Sequence, residues 1–113
     1  MIKHLNDGQD IFALLTENTT YLIGITPSGH PEHLYYGAKI GANSPDELTA
    51  LRQKREFEPG NVIVYSEDYN TTVLEDMCLE FSGVGHGDIR EPFIELVRSD
   101  GTRTTDFLYQ GFE

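Results

Sequence analysis

Short apolar runs separated by Gly, Pro, Asn and Asp recur along the chain, and runs of four to eight residues punctuated in this way are the pattern of β-strands joined by turns. Ile11-Phe12-Ala13-Leu14-Leu15 ends at Glu17-Asn18 and Tyr21-Leu22-Ile23-Gly24-Ile25 returns, which predicts a hairpin with a polar connection. The next break is Pro27-Ser28-Gly29. Its Pro suits the fixed φ of a turn's first central position, its Gly supplies positive φ, and His33-Leu34-Tyr35-Tyr36 leads away as the third strand of a meander. The period changes between Ser44 and Arg55. There Ser44-Pro45-Asp46-Glu47 combines an N-cap, a Pro at the first helical position and a Glu three residues after the cap. A short helix is expected, with Leu48 and Leu51 on one face, Arg52, Lys54 and Arg55 in its last turn, and Pro59-Gly60 as its stop.

Further along, Val62-Ile63-Val64-Tyr65 and Met77-Cys78-Leu79-Glu80-Phe81 read as strands, separated by a long polar loop from Ser66 to Thr72. Ser82 to Asp88 is a glycine-dense turn. The tail carries the clearest hairpin signal: Phe93 to Arg98 alternates, Asp100-Gly101 offers the turn dipeptide, and Thr102 to Tyr109 runs back. The fold class that follows is all-β, an antiparallel β-sandwich with one short helix, in a single β domain spanning residues 1–113. The tail ends just after a strand, so an open sheet edge is expected there, to be covered by another chain or by more sequence.

Composition narrows the function classes. The chain's 113 residues suffice for one core, and its six Phe and six Tyr argue for folding. Nineteen acidic residues against eight basic ones give a net charge of −11, which repels nucleic acid and anionic membrane surfaces. Residues 1–7 contain no signal-peptide run and nothing downstream approaches the ~20 apolar residues of a membrane span. Cys78 is the single cysteine. A reducing, cytoplasmic location is expected, with Cys78 as a small buried hydrophobe and not a reactive thiol.

Candidate chemistry is sparse. Gly83-Val84-Gly85-His86-Gly87 precedes Asp88 instead of opening a helix, so its glycines read as permissive backbone and not as a phosphate cradle. His86 and Asp88 are too few for a metal site, His4, His30 and His33 show no ligand spacing, and no metal or cofactor is expected. His33 reads as a hydrogen-bonded strand residue. Asp88, Arg90 and Glu91 could be taken for an acid and base pair, but an intervening guanidinium keeps carboxylates ionised, so a structural ion network at this corner is the expectation. The aromatics Tyr35, Tyr36, Tyr65, Tyr69, Phe81 and Tyr109 read as core in preference to a sugar-stacking platform. Arg52-Gln53-Lys54-Arg55 is the one basic concentration, expected as a solvated helix end or a recognition patch.

Taken in order, Tyr21-Leu22-Ile23, His33-Leu34-Tyr35-Tyr36-Gly37, Gly87-Asp88-Ile89-Arg90-Glu91-Pro92 and Asp100-Gly101-Thr102-Arg103-Thr104-Thr105-Asp106-Phe107-Leu108-Tyr109 resemble the start of glycoside hydrolase family 36 α-galactosidases. The likeness covers most of the chain. It implies the first portion of an N-terminal β-supersandwich that packs against a catalytic (β/α)8 barrel carrying both catalytic aspartates, so no catalytic residue is assigned here. It also implies a homo-oligomer in which residues 44–61 approach a neighbour's galactoside pocket. Arg55 and Phe57 are the candidate substrate contacts, although Arg55-Glu56-Phe57-Glu58-Pro59-Gly60-Asn61 departs from the acidic contact of some relatives. Two alternatives stay open: a free-standing carbohydrate-binding module, and a homo-oligomeric β domain that pairs its edges.

Overall fold

Short apolar runs build a four-stranded antiparallel sheet in the computed structural model, which describes residues 1–52, 56 and 63–113. Its strands are β1 (Ile2–Asn6), β2 (Asp10–Leu15), β3 (Thr19–Ile25) and β4 (Pro31–Ala38), paired in chain order. The last three answer to the predicted meander, whereas β1 was not anticipated. It is held to β2 by a tight turn in which Gly8 takes φ 104 and the Asn6 and Asp7 side chains accept the Gly8 and Gln9 amides at 2.9 and 3.1 Å. The Asp7-Gly8 dipeptide between alternating stretches is a hairpin signal.

Register assigns the faces. Leu5 pairs with Ile11, Ala13 with Leu22 and Leu15 with Thr20, so these residues share one face, on which Ile11, Ala13 and Leu22 are fully buried. A bulge in β4, opposite Leu22 and Ile23, turns both Leu34 and Tyr35 onto that face. Ala42 and Leu48 close it from the chain after β4. Leu48 belongs to α1 (Pro45–Thr49), the single short α-helix among the described residues. Pro45 stands at its first turn as expected, but Ser44 makes no side-chain cap bond. The helix is shorter than predicted, with no basic residue in its last turn. The reason is Arg52, which turns back to Asp7 in the β1–β2 turn, with Nε 3.1 Å from Oδ2. Helix propensity yields to this tertiary pair.

Residues 63–113 contain no named strand, only a 3-10 turn at Leu74–Asp76 and an isolated bridge between Leu79 and Glu32. Of the predicted strands, Val62 lies outside the described residues and Met77–Phe81 reaches β4 through two bonds, His33 N to Cys78 O (2.7 Å) and Glu80 N to Pro31 O (2.9 Å). Extended backbone here buries Met77 and turns Cys78 outward, so the expectation of a buried thiol is corrected. The tail hairpin is also corrected. Its turn forms, with Gly101 at φ 84 and Arg98 N bonded to Thr102 O at 2.9 Å, but no ladder follows. Residues 93–98 find no surface on which to bury their alternate side chains, and the return segment spends its amides elsewhere, Thr105 N on Val84 O and Tyr109 N on Gly29 O. Gly83 allows that approach, because a Cβ there would sit 2.4 Å from the Thr105 carbonyl oxygen.

Three carboxylates do the joining, each shared between a His and a Tyr. Asp10 takes His4 Nε2 at 2.7 Å and the Tyr109 hydroxyl. Glu80 takes His33 Nδ1 at 3.2 Å and the Tyr21 hydroxyl. Asp106 takes His30 Nε2 at 2.7 Å and the Tyr65 hydroxyl. Each cluster ties a strand-free segment to the sheet or to one of its turns, and a hydrogen bond to an ionised group contributes about 1.5–3 kcal/mol.

Leu22→Ala is expected to cost about 2–5 kcal/mol, read as a lowered denaturation midpoint, because the fully buried side chain leaves a cavity. The tyrosines set an alkaline limit. Burial first, and then the carboxylate each one bonds, push the hydroxyls of Tyr21 and Tyr65 up from 10.0 to about 12. Since the folded value is the raised one, their stabilisation is complete below pH 10 and is lost as pH rises towards 12. The thermal midpoint should therefore fall across that window, and the fall should flatten in a Tyr21→Phe, Tyr65→Phe double variant.

Candidate functional site

The corner singled out in the sequence is built on Arg90. Its guanidinium bonds Asp88 through Nε (2.8 Å) and Nη2 (3.0 Å), and reaches the carbonyls of Met77 (2.6 Å) and Leu74 (2.7 Å). Burial alone would raise the Asp88 carboxyl, but the Arg90 bonds outweigh it and hold the group below the usual range, while Asp88 in turn raises Arg90. A carboxyl held ionised and closed off cannot deliver a proton as a general acid. Glu91 stands apart, exposed, and joins the corner only through its carbonyl, which accepts the Ser82 hydroxyl at 2.6 Å. Arg55 and Phe57 lie outside the described residues, as do Gln53 and Lys54. Arg52, the described member of the basic run, is no solvated helix end: besides Asp7 it donates to the carbonyls of Ile25 (3.0 Å) and Asp10 (3.2 Å). Hydrogen bonds from Thr49 and Arg52 overcome the burial that would raise Asp7, and keep its carboxyl low.

Sequence reasoning missed one constellation. In the β3–β4 turn, Thr26 Oγ1 lies 3.0 Å from Ser28 Oγ, Ser28 Oγ lies 2.9 Å from His30 Nδ1, and His30 Nε2 meets Asp106. Serine, histidine and aspartate in series have the composition of a nucleophile, its base and an orienting acid. Ser28 and His30 are buried, so no acyl group can reach the hydroxyl, and the arrangement serves as an anchor for the chain around Asp106. The Ser28-Gly29-His30 spacing was visible in the sequence, but its carboxylate stands 76 residues away. Among the described residues, no three His, Cys, Asp or Glu side chains converge as a metal centre requires.

Among the concavities lined by described residues, two have mixed or apolar linings of interest. On the face of the sheet opposite the aliphatic core, a groove of about 550 Å³ is lined mainly by Phe12, Tyr21, Ile23, Phe81, Tyr109 and Phe112. Of the aromatics expected in the core, Phe81 and Tyr109 line this groove instead while Tyr35 packs against the aliphatic core, and Phe12 stands within 5.3 Å of Phe112 and 5.8 Å of Tyr109 between ring centroids. The groove's one carboxylate, Glu80, is already taken by Tyr21 and His33. The second concavity, of about 460 Å³, lies beside Arg52 between the β1–β2 turn and the loop from Ser66 to Thr72. That loop is closed at its base by Tyr65 N on Thr72 O (2.7 Å) and braced by Thr72 N on Tyr69 O (3.0 Å).

Comparison with known proteins gives this geometry a family. The Mediterraneibacter gnavus protein named bifunctional alpha-galactosidase/sucrose kinase AgaSK is 32% identical over 108 residues, covering 96% of this chain and 11% of its own length. The crystal structure of the alpha-galactosidase from Lactobacillus brevis superposes with TM-score 0.75 at 24% identity, over 96% of this chain and 14% of that one. The galactosidase domain of AgaSK superposes with TM-score 0.76 at 23% identity, over 100% of this chain and 15% of that one. These likenesses show the shared fold, and the chain spans about a ninth to a seventh of the relatives' lengths. The family model described as the glycosyl hydrolase family 36 N-terminal domain matches residues 29–113, and the chain belongs to that family.

Proposed function

We propose that this chain is a non-catalytic structural and assembly domain of a bacterial α-galactosidase, whose whole polypeptide hydrolyses terminal α-galactosides of raffinose type. One observation carries the reading: the sheet covers one face with a packed aliphatic core and leaves an aromatic groove on the other. Phe112, at that groove, is 59% exposed, and Phe81, which also lines it, is 38% exposed. Apolar surface gathered in this way marks an interaction site. A groove whose single carboxylate is already occupied fits polypeptide better than sugar. Its partners on this reading are the catalytic barrel of the same enzyme and neighbouring subunits of a homo-oligomer, in the cytoplasm, where the exposed thiol of Cys78 suits a reducing milieu. The Asp88 carboxyl, locked by Arg90, adds no competing acid.

The purified chain should release no nitrophenol from nitrophenyl α-galactoside above buffer, and should bind a hydrophobic dye that the whole enzyme does not. Release above background would overturn the assignment of cleavage to other parts of the enzyme.

A further inference from the structure

The concavity beside Arg52 differs in chemistry from the aromatic groove. Its described lining includes Gln9, Asp68, Tyr69 and Asn70 together with the exposed Pro27 and the buried Met77. Arg52 is committed to Asp7 and to two backbone carbonyls, and Glu32 is also partnered, so these two side chains are held before anything binds. Among the described residues, none hydrogen-bonds to the side-chain polar atoms of Gln9, Asp68 or Asn70. Tyr69 between them is 38% exposed, on a loop that its own backbone bonds close and brace.

A half-exposed aromatic ring flanked by a planar carboxylate and two planar amides is suited to a ring with one apolar face and a rim of hydroxyls. The ring and the Pro27 and Met77 side chains offer apolar contact, while Asp68 accepts hydroxyl protons and the amides both donate and accept. The volume falls within the ~300–1,000 Å³ of small-molecule sites. An anionic ligand is disfavoured by Asp68 at the rim and by the chain's net charge of −11.

We infer that this cleft is a non-catalytic binding site for a neutral pyranoside, with Tyr69 as the stacking platform and Asp68, Asn70 and Gln9 as the hydroxyl contacts. The inference concerns this chain's own surface and is independent of whether the aromatic groove meets a barrel. Titration of the isotope-labelled chain with methyl α-galactoside, followed through backbone amide shifts, tests it. Saturable shifts at Gln9 and at residues 68–72 are expected, with a dissociation constant of about 1–10 mM. Tyr69→Ala should weaken binding about tenfold and Asp68→Asn several-fold, whereas Phe112→Ser in the groove should leave it unchanged. Shifts that do not saturate, that persist undiminished in Tyr69→Ala, or that gather at Phe12 and Phe112 would overturn the inference. So would equal shifts from glycerol, which lacks the ring. Nitrophenol release, the readout for the structural role, is separate from each of these outcomes.

Discussion

A carboxylate shared between a histidine and a tyrosine is the device on which the rest of this structure depends. The sheet and its aliphatic core account for the first forty or so residues, but residues 63–113 have no strands and bury few apolar side chains, Val73, Leu74 and Met77 among them. Glu80 and Asp106 bind that half to β3, β4 and the turn between them, and Asp10 holds Tyr109 against β2. Each carboxylate accepts from a histidine and a tyrosine, and Asp10 from Asn6 as well, so the buried His30 is left with no unpaired imidazole N–H. The third cluster extends inward through Ser28 to Thr26, so one turn of four bonded side chains fixes the path of the chain 76 residues later.

This arrangement has a consequence for function. Because the strand-free half is tethered at points and not zipped along a ladder, it leaves the aromatic face of the sheet open as a groove. The same tethers hold the Ser66–Thr72 loop near the β1–β2 turn, since Tyr65 at its base is bonded to Asp106. An apolar groove on one side and a polar cleft on the other thus both derive from where three carboxylates sit.

Much of the sheet was legible in the sequence because its signals are local. The apolar runs Ile11–Leu15 and Tyr21–Ile25, and the Pro27-Gly29 turn, each specify structure within a few residues, and β2, β3 and β4 follow. β1 was overlooked although Asp7-Gly8 announced its turn. The tail hairpin was expected on equally good local grounds and its turn did form. Its strands did not pair, because pairing needs a buried face and residues 93–98 have none. The helix was cut short for the converse reason: Arg52 had a distant partner, Asp7, that periodicity cannot reveal. Asp88 and Arg90 were legible as a pair through their spacing, while Glu91 does not join them side chain to side chain. The contact of His30 with Asp106, and the sharing of one cavity by Tyr69 and Gln9, join segments far apart, and no local pattern encodes them.

Backbone amide hydrogen exchange in Asp106→Asn tests the tethering directly. An amide in place of the carboxylate keeps the shape but cannot accept from both His30 and Tyr65 without a donor facing a donor. The amides of Tyr65, Thr105 and Tyr109, whose bonds lie around that cluster, should then exchange faster while those of Ala13 and Leu22 in the sheet keep their protection. Unchanged exchange at Tyr65, Thr105 and Tyr109, or a loss spread evenly over the sheet, would contradict the account.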